Sequence, residues 1–201
     1  MIEALHYDKT DEELEYWILY CVMVAGKNAN STYKQLDRFL GILDPPYTHI
    51  HYLEYLPEKY ADSPLDFIRH LITEGALWNR IRSFRLGQYN KLYNAFIYLA
   101  KNFSGAKLRT CTVEDLLEVP GIGHKTTRFF IMTTRRGVRH AALDTHILKY
   151  LRAQGIDAPL STPVSSVKYA VLENKFLELA DRSGMTPAEF DYQVWLSYRK
   201  E

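Results

Sequence analysis

Apolar residues recur every three or four positions along most of this chain, which is the spacing of a buried helix face. The first such segment, residues 11–25, begins with an acidic turn that suits a helix N-terminus. No alternating pattern typical of a strand extends beyond a few residues, so the sequence predicts an all-α protein. The predicted helices cover residues 11–25, 31–41, 48–57, 64–73, 76–85, 88–103, about 124–137, about 144–155, 166–182 and 187–198.

Several helix boundaries follow from local side-chain chemistry. Ser31 is predicted to cap the second helix, and the Asp44-Pro45-Pro46 step is predicted to end it. Thr112 followed three residues later by Asp115 resembles a capping box, and Thr186-Pro187 is a helix start signal.

Composition is that of a globular protein. The chain has 201 residues, 47% of them hydrophobic, which is enough for one large domain or two small ones that share a cleft. No apolar run approaches the ~20 residues needed to span a membrane, and the acidic N-terminus lacks an apolar signal core, so we expect a cytoplasmic protein. Cys21 and Cys111 are too few for a four-cysteine metal cluster, and both are predicted to be packing residues.

The net charge of +1 argues against a nucleic-acid binder, but the distribution of charge favours one. Residues 80–109 contain seven basic residues and no acidic one, and residues 121–152 contain seven basic residues against the single acidic Asp144. Two such blocks on one face would attract a polyanion. The alternative is that both blocks are ordinary solvated helix faces.

The second basic block contains the strongest motif of the chain. Pro120, Gly121, Ile122, Gly123, His124, Lys125 and Thr126 follow one another between two amphipathic segments. Glycine permits a tight turn and a close approach to a phosphate, Ile122 is predicted to return to the core, and the amides that begin the next helix attract anions. The alternative is a simple helix-capping turn.

Lys125 and Asp144 are the candidate catalytic residues. A cation in the first turn of a helix opposes the helix dipole, and the same field favours an uncharged, nucleophilic amine at Lys125. Asp144 precedes an apolar helix pattern and is predicted to cap that helix, which would hold its carboxylate rigidly.

These residues resemble the helix-hairpin-helix DNA glycosylase superfamily. The segments 119–126 and 142–148 are similar to members such as endonuclease III, and the likeness is weaker over residues 17–110. Lys125 lies where bifunctional glycosylase/AP lyases carry their Schiff-base lysine. The absence of a cysteine cluster and the Asp191-x-x-x-Trp195 spacing resemble archaeal-type 8-oxoguanine glycosylases.

The resemblance implies two helical domains with a DNA-binding cleft between them. One domain would comprise residues 1–20 plus 130–201, and the other residues 21–129, with the helix-hairpin-helix at about 112–135. The substrate would be double-stranded DNA with a damaged base, bound by a monomer associated with the nucleoid. No metal or redox cofactor is needed for the chemistry, although a structural cation at the hairpin carbonyls is compatible with the resemblance.

The implied site residues fall into three groups. Lys125 would form the Schiff base and Asp144 would stabilise the sugar cation. DNA contacts are expected from Gly121, Ile122, Gly123, His124, Thr126, Asn28, Asn30, Arg85 and Gln88. A base pocket is expected from Trp195, Tyr89 and Lys200, with a core position as the alternative for Trp195.

Two alternatives to an 8-oxoguanine glycosylase/lyase remain open at the level of sequence. One is a glycosylase for an oxidised pyrimidine, a mismatched base or another modified base. The other is a non-catalytic helix-hairpin-helix module, which needs the hairpin but neither Lys125 nor Asp144.

Overall fold

The structure, a computed structural model, describes residues 7–41 and 63–198, and within these ranges it is all α-helical. This confirms the predicted fold class. The helices are α1 (Asp11–Val24), α2 (Ala29–Leu40), α3 (Pro64–Thr73), α4 (Leu77–Ser83), α5 (Tyr89–Asn102), α6 (Gly105–Thr110), α7 (Val113–Leu117), α8 (His124–Thr134), α9 (Thr145–Ala153), α10 (Ser166–Ser183) and α11 (Pro187–Tyr198). The predicted helix at 48–57 and the Asp44-Pro45-Pro46 break lie outside the described residues. None of the described helices is long and apolar enough to cross a membrane.

Local capping explains where most of these helices begin. Thr112 and Asp115 form the predicted capping box of α7, with the Thr112 N–H donating to Asp115 Oδ2 at 2.8 Å. A second capping box, Thr10 with Glu13, begins α1. Each box satisfies backbone N–H groups that the first turn of a helix leaves without partners.

Two features of the helix map differ from the sequence prediction. Ser31 does not cap α2: the cap is Asn28, whose Oδ1 accepts the Ser31 N–H at 3.1 Å, so the helix begins two residues earlier. The short helix α6 was not predicted, because six residues are too few to display an apolar period. Ser104 caps it, and a Cβ at Gly105 would lie 2.2 Å from Asp11 Cβ, so α6 packs closely on α1.

The first compact unit comprises Asp8–Ile122 and is built around α1. This helix packs against α2, α3, α5 and α6, and apolar residues on all its sides, such as Ile18 and Leu19, are buried. Its Glu15 carboxylate is also buried and accepts the N–H groups of Leu65 at 3.1 Å and Gly105 at 2.9 Å. Burial raises the pKa of Glu15, although these hydrogen bonds oppose the shift.

The second unit comprises Gly123–Glu201, described as far as residue 198, together with Tyr7. Helix α11 packs against α8, α9 and α10, and the fully buried side chains include Leu148, Tyr169 and Phe176. The sequence grouped residues 1–20 with the C-terminal half and ended the central domain at 129. In the structure α1 packs within the first unit, and the chain passes to the second unit inside the glycine hairpin.

The two cysteines are packing residues, as predicted. Cys21 is 2% exposed and Cys111 is 3% exposed, and both lie in the first unit. In the described part of the chain, no group of three or more His, Cys, Asp or Glu side chains is arranged to hold a metal ion.

Candidate active site

The hairpin turn depends on Gly121. Its φ is +80°, a conformation that L side chains rarely adopt, and a Cβ there would lie 2.5 Å from Lys91 Cγ. Ile122 is buried, as predicted, and its N–H donates to the Val119 carbonyl at 3.0 Å. The tight turn and the apolar plug therefore hold the hairpin in one conformation.

Gly123 differs from Gly121, because its conformation does not require glycine. It is the N-cap of α8 with φ −115° and ψ 178°, and no atom lies within 4 Å of a Cβ built there. Having no side chain, it provides no acceptor for the first amides of α8. The packing of the folded chain therefore gives no reason for a glycine at this position. Close approach of an anion to the first amides of α8 would give one.

The side chains that follow Gly123 are partly occupied within the second unit. His124 lies with Nδ1 3.3 Å from Arg128 Nη1 and Nε2 3.1 Å from Ser166 Oγ. Thr126 is buried, with 8% of its surface exposed.

Lys125 is half-buried in the first turn of α8. Its Nζ lies 5.1 Å from the centre of the Phe129 ring. Phe129 in turn packs against a small apolar cluster formed by Met132, Ala142 and Ala188. Phe129 therefore lies between the lysine and residues of α11 and of the segment that leads to Asp144.

Asp144 is the N-cap of α9, as predicted. Its Oδ1 accepts the N–H groups of His146 and Ile147, both at 2.9 Å. Its own N–H donates to the Ala142 carbonyl at 2.6 Å. These bonds fix the carboxylate at the start of the helix.

Segment 141–143, which precedes Asp144, is held by a buried tyrosine of α10. The Tyr169 hydroxyl donates to the Ala141 carbonyl at 2.7 Å and accepts the Leu143 N–H at 3.0 Å. The Thr162 hydroxyl donates to the Leu143 carbonyl at 2.7 Å. Side-chain hydrogen bonds thus take the place of helix or sheet pairing along this irregular stretch.

A buried ion pair joins the helix of Lys125 to the same segment. Arg128 Nε lies 2.8 and 2.9 Å from the two carboxylate oxygens of Glu173, and the Ala141 N–H donates to Glu173 Oε1 at 3.0 Å. Burial raises the pKa of Glu173, but hydrogen bonds from His140, Ala141 and Arg128 outweigh it, so the pKa lies below its ordinary value. Glu173 therefore couples the positions of Lys125 and Asp144.

Asp191 on α11 was noted in the sequence only as part of a loose motif. In the structure Asp191 is 9% exposed, and its Oδ2 accepts the N–H of Ala142, two residues before Asp144, at 3.3 Å. Burial and the charge of Asp144 raise the pKa of Asp191 to about 8, while the Ala142 N–H and the charge of Lys125 oppose the shift. The signal in the sequence was the spacing of Asp191 and Trp195, which does not distinguish Asp191 from Glu189 on the same helix.

Of the residues predicted for a base pocket, Trp195 belongs to the second unit and Tyr89 to the first. Trp195 is half-buried on α11 and stacks on Tyr192 with ring centres 6.4 Å apart. Tyr89 is 37% exposed at the start of α5, in the first unit. Lys200 lies outside the described residues.

The remaining DNA-contact candidates lie on two turns of the first unit. Asn28 and Asn30 are exposed at the start of α2, where Asn28 acts as the cap. Arg85 and Gln88 are also exposed, and their φ values of 52° and 44° are in the left-handed region that residues other than glycine seldom occupy. Such strained backbone is commonly retained at functional turns.

Hydrogen bonds connect these two turns. The Lys27 ammonium donates to the Leu86 carbonyl, and the Gln88 amide donates to the Ala25 carbonyl at 3.1 Å. Within this unit the structure therefore brings together two exposed turns that are about sixty residues apart in the sequence.

The two basic blocks are less positive in the structure than in the sequence. Arg128 is paired with the buried Glu173, and Arg139 with Asp181 at 2.9 Å. Arg109 of the first block is paired with Asp11. The acidic partners come from distant parts of the chain. Counting the charged residues within one stretch of sequence therefore overstates its positive electrostatic potential.

No protein-family model matches the chain. Among solved structures, it is similar to the crystal structure of Methanocaldococcus jannaschii 8-oxoguanine glycosylase/lyase in complex with a 15mer DNA containing 8-oxoguanine. The TM-score is 0.65 at 17% sequence identity, over 96% of this chain and 84% of that chain. The chain therefore has the all-α fold of that glycosylase/lyase.

Proposed function

We propose that this chain is a DNA glycosylase with AP lyase activity that removes a damaged base from double-stranded DNA. The observation that carries the proposal is the placement of Lys125 and Asp144 at the starts of α8 and α9, where both charges act on the buried Asp191. A fold similar to that of an 8-oxoguanine glycosylase/lyase supports 8-oxoguanine as the first substrate to test.

The hairpin is the proposed phosphate site. Gly121 forms the turn, Gly123 leaves the first amides of α8 without a side-chain cap, and the helix dipole favours an anion there. The exposed turns that carry Asn28 and Arg85 are the proposed additional DNA contacts. A damaged base leaves the stack more readily than a normal one, which favours lesion binding.

The chemistry divides between the two candidate catalytic residues. The lone pair of Lys125 Nζ forms a bond to the sugar C1′, and the glycosidic C–N bond breaks with its electron pair leaving on the base, which takes up a proton. Asp144 stabilises the positive charge that develops on the sugar and accepts a proton from the amine. Because both cap bonds go to Oδ1, we assign Oδ2 to this role.

Strand cleavage follows from the covalent intermediate. Opening of the sugar ring gives an iminium between Nζ and C1′, which acidifies the C2′ proton. Loss of that proton expels the 3′ phosphate in a β-elimination, and water then hydrolyses the imine to release Lys125. No external oxidant or reductant is consumed.

Borohydride trapping tests this function directly. Duplexes carrying 8-oxoguanine, thymine glycol or uracil are incubated with wild type, Lys125→Ala and the control Lys149→Ala, which removes an exposed lysine of α9. We expect a covalent adduct with one lesion, lost only in Lys125→Ala. Free base is measured in parallel. Base release without an adduct would refute the lyase step, and DNA binding without either product would identify a non-catalytic module.

A further inference from the structure

Asp191 is a buried acid whose contacts lead to the site. It lies on α11, which packs against both α8 and α9, the helices that begin with Lys125 and Asp144. Its carboxylate accepts the N–H of Ala142, two residues before Asp144. The side chain therefore touches the segment that sets the position of Asp144.

The titratable groups that interact with Asp191 come from each neighbouring element. They are Asp144 at the start of α9, Lys125 of α8 and the Tyr169 hydroxyl of α10. Two neighbouring carboxyl groups do not both ionise readily in a buried site. Asp144 is half-buried and accepts two amide hydrogens, so it is better suited to carry the negative charge than Asp191.

We propose that Asp191 is a positioning residue of the glycosylase/lyase reaction: it holds the Ala142 amide and stays uncharged, so that Asp144 supplies the single negative charge beside Lys125. This inference rests on the proposed function. Ionisation of Asp191 would add a second negative charge beside Lys125 and favour the protonated, non-nucleophilic amine. The pKa of about 8 places this loss just above neutral pH.

Two substitutions separate the hydrogen bond from the charge. Asp191→Asn keeps an oxygen that can accept the Ala142 N–H but never ionises, whereas Asp191→Ala removes both functions. Glu189→Gln is the matched control, because Glu189 is an exposed acid in the first turn of the same helix.

The first measurement does not depend on catalysis. The pKa of Asp191 is raised in the folded state, so unfolding releases a proton between the ordinary aspartate value of about 3.9 and about 8. The urea midpoint of wild type should therefore fall relative to that of Asp191→Asn as pH rises through this window. Above about pH 8 the difference between the two midpoints should stay constant. A constant difference in midpoint would show that Asp191 is ionised throughout and would overturn the proposal.

The second measurement is the single-turnover rate of adduct formation on lesion DNA, with DNA affinity measured by anisotropy. The ratio of the wild-type rate to the Asp191→Asn rate should fall as pH rises through about 8, because only the wild type gains a negative charge at residue 191. At neutral pH, Asp191→Ala should lower the rate at least about tenfold with unchanged DNA affinity. Asp191→Asn should restore most of that loss at neutral pH.

The outcomes distinguish the two proposals. If wild type forms no adduct on any lesion, the lyase function fails, and the positioning role falls with it. If wild type forms the adduct but the rate ratio is independent of pH, or Asp191→Ala retains the full rate, only the role of Asp191 is refuted. A ratio of the wild-type rate to the Glu189→Gln rate that falls with pH in the same way would also refute it.

Discussion

Removal of the Glu173 carboxylate should destabilise the second unit strongly. The Arg128 and Glu173 side chains are 11% and 9% exposed, and the guanidinium lies 4.4 Å from the Tyr169 ring centre. Glu173→Ala would leave this guanidinium buried without its carboxylate and the Ala141 N–H without its acceptor.

The magnitude follows from these two losses. Breaking a buried ion pair by removing one partner costs about 3–5 kcal/mol. A buried amide left without an acceptor costs about 1–3 kcal/mol. The two effects share one site and do not add fully, so we expect a loss of about 4 kcal/mol in the free energy of unfolding. Domains of ordinary stability have only about 5–15 kcal/mol.

Urea denaturation followed by circular dichroism measures this loss. The matched control is Glu178→Ala on the same helix, which breaks the exposed Lys175–Glu178 pair at 3.3 Å and should cost less than about 1 kcal/mol. The double variant Arg128→Met with Glu173→Met should be more stable than Glu173→Ala, because no unpaired charge remains buried. A loss below about 1 kcal/mol in Glu173→Ala would refute the assigned coupling.

The contribution of Glu173 to stability should also depend on pH. The pKa of Glu173 is lowered in the folded state, so its contribution to stability is complete above the ordinary glutamate value of about 4.3 and is lost as pH falls below that value. The difference in unfolding free energy between wild type and Glu173→Ala should therefore shrink on acidification below about pH 4. A difference that grows in acid would contradict the depressed pKa.

Three glycine substitutions test the remaining assignments. Gly123→Ser should raise unfolding stability by about 0.3 kcal/mol by capping α8 while weakening DNA binding in anisotropy, and unchanged affinity would argue against a phosphate at this turn. Gly121→Ala should lower the thermal midpoint, because it imposes a side chain at φ +80° against Lys91, and a stability equal to wild type would contradict the hairpin geometry. Gly105→Ala should destabilise the first unit, because the added methyl group would clash with Asp11. Calorimetry measures this loss, and an unchanged melting temperature would show that α1 and α6 can separate.

Features that depend on a few neighbouring residues were predictable. The Thr112–Asp115 capping box, the Asp144 cap and the buried plug at Ile122 each involve residues within three or four positions. The α2 cap was assigned to Ser31 instead of Asn28, because several polar residues in succession can each begin a helix. Roles of Lys125 and Asp144 in catalysis remain predictions that the trapping experiment tests.

Groups that meet across the fold were not predictable. Asp191 reaches Ala142 over 49 residues and Glu173 reaches Arg128 over 45, and nothing local to either acid indicates its partner. For the same reason the charge count along the sequence was too high: it included Arg128, whose charge is neutralised by Glu173 of α10.

The sequence by itself determined the helical class, the glycine hairpin and the two candidate catalytic residues, because helix periodicity, caps and turn conformation are set by short-range sterics and hydrogen bonding. Tertiary structure alone decided the surroundings of those residues: the buried pair at Glu173, the acid at Asp191 and the side-chain bonds along segment 141–143. Burial and electrostatic interaction depend on which helices pack together, and that is a property of the whole unit rather than of any stretch of sequence.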